Sequence, residues 1–142
     1  MFLSLNLPQS ILFSSLLLLL TGCSSGSGEA VPDLADVSGV VTMDGSPLVN
    51  AKVIFEPLET TGKARRRASS ATTQEDGSYS LEYNEDASGA SLGKHRVMII
   101  KLTDNPEDAG KQLVPTKYND KSELTADVKA DGNTINFDLK SK

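Results

Sequence analysis

The chain has one cysteine, one histidine and no tryptophan among its 142 residues. Each scarcity removes a class of protein. A single Cys excludes an intrachain disulfide, although an exported chain can carry one. A catalytic zinc site takes about three protein ligands, usually with His among them. One His and one Cys fall short of that, so neither a metal nor a cofactor is expected. Aromatic residues make up 5% of the chain, which leaves few platforms for stacking a sugar ring. Tyr83 is the most accessible-looking of them, yet the alternation around it places it inward. Lys and Arg number 14 against 19 Asp and Glu, a formal charge of -5. Nucleic-acid binding calls for a clustered basic face, so no nucleic-acid partner is expected. No apolar run reaches the roughly 20 residues needed to cross a hydrocarbon core, because Ser14 and Ser15 interrupt Ile11 to Leu20.

What is present begins with the leucine run Leu16 to Leu20, which ends in Leu20-Thr21-Gly22-Cys23 and so in the only cysteine. Length and composition match a secretory h-region, although Met1 to Ser10 contains no Lys or Arg. An apolar segment closing on small residues and one Cys resembles the lipobox of bacterial lipoproteins. The resemblance implies that residues 1–22 are a signal peptide that is removed. It also implies that Cys23 becomes an N-terminus acylated with fatty chains such as palmitate. Cys23 is thus the expected lipid-attachment site, and the membrane an expected partner. Ser24 stands where an Asp can mark inner-membrane retention, so the resemblance favours the outer membrane within the cell envelope.

Residues 23–36 read as a tether. Ser24-Ser25-Gly26-Ser27-Gly28 has nothing to bury, and Glu29 to Asp36 continues polar around Pro32. A dozen such residues have an r.m.s. span of roughly 20 Å as a flexible coil. Residues 37–142 are long enough for one domain with one core.

The periodicity of that domain is two, the signature of half-buried strands. Ile135, Phe137 and Leu139 alternate with polar residues, as do Leu124, Ala126 and Val128, and Tyr79, Leu81 and Tyr83. Val53 and Phe55 share a face, with Ile54 on the other. Asp44-Gly45, Asp76-Gly77 and Asp131-Gly132 punctuate the runs, and Asp-Gly is a hairpin signal because Gly tolerates positive φ. No segment of useful length carries a helical stripe. The expectation is all-β, a sandwich of short strands. Val97-Met98-Ile99-Ile100 is apolar on both faces. It is either a central strand with a loop over its outer face, or a strand whose Met98 and Ile100 form a contact patch.

Ser38-Gly39-Val40-Val41, followed by Asp44-Gly45-Ser46-Pro47-Leu48 and on to Val53, resembles the opening of carboxypeptidase regulatory-like domains. Thr72 to Leu81, with Asp76, Gly77 and Tyr79, resembles that family's second hallmark, and Gly93-Lys94-His95-Arg96-Val97 its third. Pro115-Thr116-Lys117-Tyr118-Asn119 before Ser122-Glu123-Leu124-Thr125 is similar to small lipoproteins of planctomycete-type bacteria. The resemblance implies a transthyretin-like (prealbumin-like) Greek-key sandwich of about seven strands. Asn50 stands where many relatives have Gly, and Asn also tolerates left-handed backbone. These motifs are turns and core positions; they speak for a fold, and function is a separate matter.

No catalytic residue stands out. His95 lies between Lys94 and Arg96 with no carboxylate near it in sequence, and a Ser-His-Asp set drawn from distant positions stays open. The active-site histidines and the C-terminal Tyr-Arg-Gly-Ser motif of transthyretin-fold hydroxyisourate hydrolases are absent. Arg65, Arg66 and Arg67, next to Lys63, form a basic cluster that can meet lipid headgroups, meet an acidic polysaccharide, or simply be a solvated loop or an edge strand whose charges deter edge-to-edge pairing. Asp104-Asn105-Pro106-Glu107-Asp108 is an acidic loop that can hold calcium through oxygens, but it lacks the spacing and Gly of an EF-hand loop and reads as a solvated loop. The expected function is a non-catalytic, membrane-anchored interaction or envelope-structural module, with an envelope protein or polysaccharide as partner. A carbohydrate- or ligand-binding surface lipoprotein and a hydrolase are the alternatives.

Overall fold

The computed structural model describes residues 30–59 and 64–142, and Cys23, the leucine run and Lys63 lie outside them. The strands are β1 (Leu34–Ala35), β2 (Val37–Met43), β3 (Ser46–Pro47), β4 (Lys52–Pro57), β5 (Ser69–Thr72), β6 (Ser78–Ser80), β7 (Ala90–Ser91), β8 (Gly93–Ile100), β9 (Thr125–Val128), β10 (Asn133–Thr134) and β11 (Phe137–Leu139). Four are two-residue pieces, and the longer ones make two main sheets. The only helical pieces among the described residues are short 3-10 turns at Pro106–Asp108 and Thr116–Tyr118. The protein is an all-β sandwich.

One sheet has the order β5-β4-β8-β9 and is antiparallel throughout. The other is built around β2. Along one edge β2 pairs antiparallel with β6 and β3. Along its other edge it pairs in parallel with β10 and β11, setting Phe137 beside Val41 and Leu139 beside Met43. β1 and β7 form a separate antiparallel pair, Leu34 beside Ser91.

Alternation decides which side chains meet between the sheets. β4 contributes Val53 and Phe55, β8 contributes Val97 and Ile99, and β9 contributes Ala126 and Val128. Val37, Val41, Tyr79, Phe137 and Leu139 face them from the β2 sheet. Phe55 is fully buried at the centre, its ring 6.1 Å from Phe137, 6.5 Å from Tyr79 and 5.8 Å from His95, centroid to centroid. At Gly39 the backbone of β2 passes under the link between β10 and β11. An ideal Cβ there would lie 1.8 Å from the carbonyl oxygen of Ile135.

Two sequence expectations need correction. Asp44-Gly45 does close a two-residue hairpin between β2 and β3, both residues at positive φ as a type I′ turn requires. Asp131-Gly132 does not close a hairpin. β9 and β10 belong to different sheets, so this turn carries the chain across the sandwich. The alternating run from Thr134 to Lys140 is also not one strand. It breaks at Ile135 and Asn136, where Asn136 Oδ1 accepts from the Val40 amide at 2.8 Å and the carbonyl of Ile135 accepts from the Tyr79 hydroxyl.

Beyond the reach of β9, the edge of β8 is covered by the segment 112–124. The Ser122 hydroxyl donates to the Val97 carbonyl, and the buried Asn119 amide donates to the carbonyls of Val114 and Pro115 at 3.1 Å. Arg96 holds the same segment through the carbonyls of Asn119 and Asp120. Tyr118 packs here, its hydroxyl accepting from the Lys140 amide. This loop covers the edge of the strand, and Met98 and Ile100 on its outer face stay half-exposed beside Ile54.

Candidate functional site

β4 ends at Pro57 on the same end of the sandwich where β8 and β5 begin. The segment Ala64 to Arg67 leads from there into β5. β1 arrives there too, because its pairing with β7 lays Leu34 against Ser91. The result is a small cavity lined by Pro32, Pro57, Glu59, Arg65, Arg67, Tyr83 and Ser91, among others.

The three arginines divide into two roles. Arg67 is exposed like its neighbours but tied to the fold: its Nε donates to the Tyr83 carbonyl at 3.0 Å, and its guanidinium carbon sits 5.6 Å from the centre of the Tyr83 ring. A guanidinium over an aromatic face is attracted by the ring quadrupole. Arg65 and Arg66 are exposed, and neither has an ion pair or hydrogen bond among the described residues. Tyr83 is buried as its alternation implies, which removes it as a stacking platform, and its hydroxyl has no hydrogen-bond partner among the described residues.

Behind the cavity lies the histidine. His95 is 1% exposed, with Nδ1 3.0 Å from the Gly93 carbonyl and Nε2 3.2 Å from the Ser91 hydroxyl. A carbonyl only accepts, so Nδ1 carries the proton. The neutral ring then offers an Nε2 lone pair to the Ser91 hydroxyl. Gly93, at φ 107, makes this approach possible by bending the chain between β7 and β8. The contact is of the nucleophile–base kind. The ring, however, lies sealed beneath Phe55, with Nε2 covered by Ser91. The orienting group is a carbonyl and not a carboxylate.

Burial holds the His95 pKa below its usual 6.5, against weaker opposing effects of the Gly93 carbonyl and Asp127. The unfolded chain therefore takes up the proton first as pH falls. This contribution to stability is complete above 6.5 and is lost progressively below it. Urea midpoints measured between about pH 7 and pH 5 should fall for the wild type. His95→Gln should flatten that slope, and identical slopes would refute the assignment.

The remaining sequence-derived positions serve the fold. Asp76 accepts from the Ser78 hydroxyl at 2.5 Å and the Ser78 amide at 2.9 Å, which holds its carboxyl below the usual range and shapes the turn at Gly77. The Ser141 amide donates to Asp44 in the same way. The Tyr79 hydroxyl donates to the Ile135 carbonyl at 2.6 Å, and burial pushes its pKa well above that of a free phenol. In the acidic loop, Asn105 Oδ1 accepts from the Glu107 amide. No group of three His, Cys, Asp or Glu among the described residues is placed to hold a metal ion. Ser91 escaped sequence reasoning because its link to His95 depends on the bend at Gly93, not on a recognisable motif.

Comparison with protein-family models finds no match, and comparison with curated proteins finds none.

Proposed function

We propose that this protein is a lipid-anchored lipoprotein of the bacterial cell envelope. Its sandwich, of the carboxypeptidase regulatory-like (transthyretin-like) kind, serves as a non-catalytic interaction or structural module. The observation that carries this is the apolar run Ile11 to Leu20 closing on Leu20-Thr21-Gly22-Cys23, with the chain's only cysteine at the position where acylation occurs. The spacing supports this: the first strand among the described residues begins at Leu34, after a stretch of Ser and Gly that follows Cys23 in the sequence. Burying acyl chains yields about 0.8 kcal/mol per methylene, and two or more chains hold a protein stably where one does so only marginally. The outer membrane is the favoured location, and the partner is an envelope protein or polysaccharide.

Cys23→Ser should remove the protein from the membrane fraction or leave uncleaved precursor. Metabolic labelling with a fatty acid reads this directly. Equal labelling of wild type and Cys23→Ser would reject the lipoprotein reading.

A further inference from the structure

We infer that the end of the sandwich carrying Arg65 and Arg66 is a second, electrostatic contact with an anionic lipid surface, made beside the tether. The inference rests on Cys23 being the lipid anchor, and it goes further by orienting the domain. Three observations support it.

The first is where the chain outside the described residues attaches. Pro32 lines the same cavity as Arg65 and Arg67, so the tether enters the domain beside the basic cluster and not at the far end of the strands. Between Cys23 and Ala30 the chain can span at most about 25 Å, a bound set by covalent geometry whatever conformation it adopts. This end of the domain therefore cannot leave the neighbourhood of the headgroups.

The second is chemistry. Arg65 and Arg66 are exposed and unpaired among the described residues, whereas Arg67 is held against Tyr83. Guanidinium groups match phosphate geometry, donating to two oxygens at once. Two apolar side chains accompany them: Val31 is 53% and Leu58 is 44% exposed, and both sit next to cavity-lining prolines. Exposed apolar groups beside cations suit the boundary between headgroups and acyl chains. Asp33 and Glu59 carry opposite charge at this end, Glu59 lining the same cavity as Arg65, and Glu85 and Asp86 follow Tyr83, so the attraction is carried by Arg65 and Arg66 alone.

The third is magnitude. Two basic residues near an anionic surface contribute about 1 kcal/mol each. That is too little to recruit a protein of charge -5 from solution. A short tether supplies an effective concentration in the millimolar range, enough to make a weak contact count. The interaction should decay within a Debye length of about 8 Å at physiological salt.

The test uses Cys23 itself. Among the described residues the core runs from Ala35 to Leu139, and the chain from residue 23 onward is isotope-labelled and coupled through its single thiol to a maleimide lipid. Nanodiscs of phosphatidylcholine alone are compared with nanodiscs containing phosphatidylglycerol, each with a nitroxide headgroup lipid. On anionic discs, broadening should be greatest at the amides of Leu58, Arg65 and Arg66, should exceed that on neutral discs, and should diminish with added salt. Arg65→Ala with Arg66→Ala should lower the docking equilibrium about thirtyfold, roughly fivefold per arginine. Equal broadening on neutral and anionic discs, no effect of the double substitution, or strongest broadening at Asp104–Asp108 would each overturn the inference. Chemical coupling replaces cellular acylation here, so failure of this contact and failure of the lipoprotein reading are seen separately.

Discussion

Gly39→Ala is expected to destabilise the domain by about 3 kcal/mol or more, and at physiological temperature to leave much of the chain unfolded. The glycine is not there for a left-handed backbone. Its strand runs directly beneath the Ile135 carbonyl, and an alanine methyl would be placed 1.8 Å from that oxygen. The oxygen cannot simply move aside, because it accepts from the buried Tyr79 hydroxyl, and the Ile135 amide donates to the Ser38 carbonyl. Relief requires β2 and the β10–β11 link to separate, which breaks the parallel pairing on both sides of the contact. Gly45→Ala supplies the comparison. Nothing lies within 4 Å of a Cβ there, and only the positive φ of 82 is unfavourable, at a cost of about 1–2 kcal/mol. Urea denaturation followed by far-UV circular dichroism ranks the two. If Gly39→Ala proves as mild as Gly45→Ala, the close approach is wrong.

Phe55→Ala should cost about 3–5 kcal/mol, the range for removing a fully buried aromatic. A domain of this kind has only about 5–15 kcal/mol of total stability, so the loss is a large share. Phe55 touches both sheets: its ring meets Tyr79 and Phe137 from the β2 sheet and His95 on β8. Edge and tilted ring contacts add to the burial itself. Phe55→Leu keeps most of the volume and should lose markedly less. Equal losses for Leu and Ala would mean that the aliphatic volume kept by Leu adds nothing and that the ring contacts carry the whole effect.

The layers of the sandwich could be read from the sequence because alternation is a local property. Val53 and Phe55, Tyr79 and Leu81, Ala126 and Val128, and Phe137 and Leu139 all face the core as their spacing implies. Pairing is not local. Nothing in Phe137-Asp138-Leu139 says that its partner is Val41 to Met43 or that the two run parallel. Asp131-Gly132 has hairpin chemistry, yet hairpin chemistry specifies only a reversal, and here the reversal leads into the opposite sheet. The site shows the same limit. Arg65, Arg66 and Arg67 look equivalent as letters, and only the position of Tyr83 separates Arg67, which is bonded to it, from its neighbours. Likewise the Ser91–His95 contact depends on a backbone bend that spacing does not encode.

The parallel seam between β2 and β11 also bears on how the chain reaches its native state. The first long strand is flanked on one edge by almost the last residues of the fold, a sequence separation near the maximum that this domain allows. Loop-closure entropy has to be overcome before that pairing gives anything back, so folding of such topologies is slow. Until Leu139 is available, β2 lacks that partner and Phe137 is missing from the core. A nascent or partly translocated chain therefore cannot complete the native edge of β2 before its last strand is present. For a protein carried across a membrane, as proposed above, completion of the native sheet would then follow passage of the last strand.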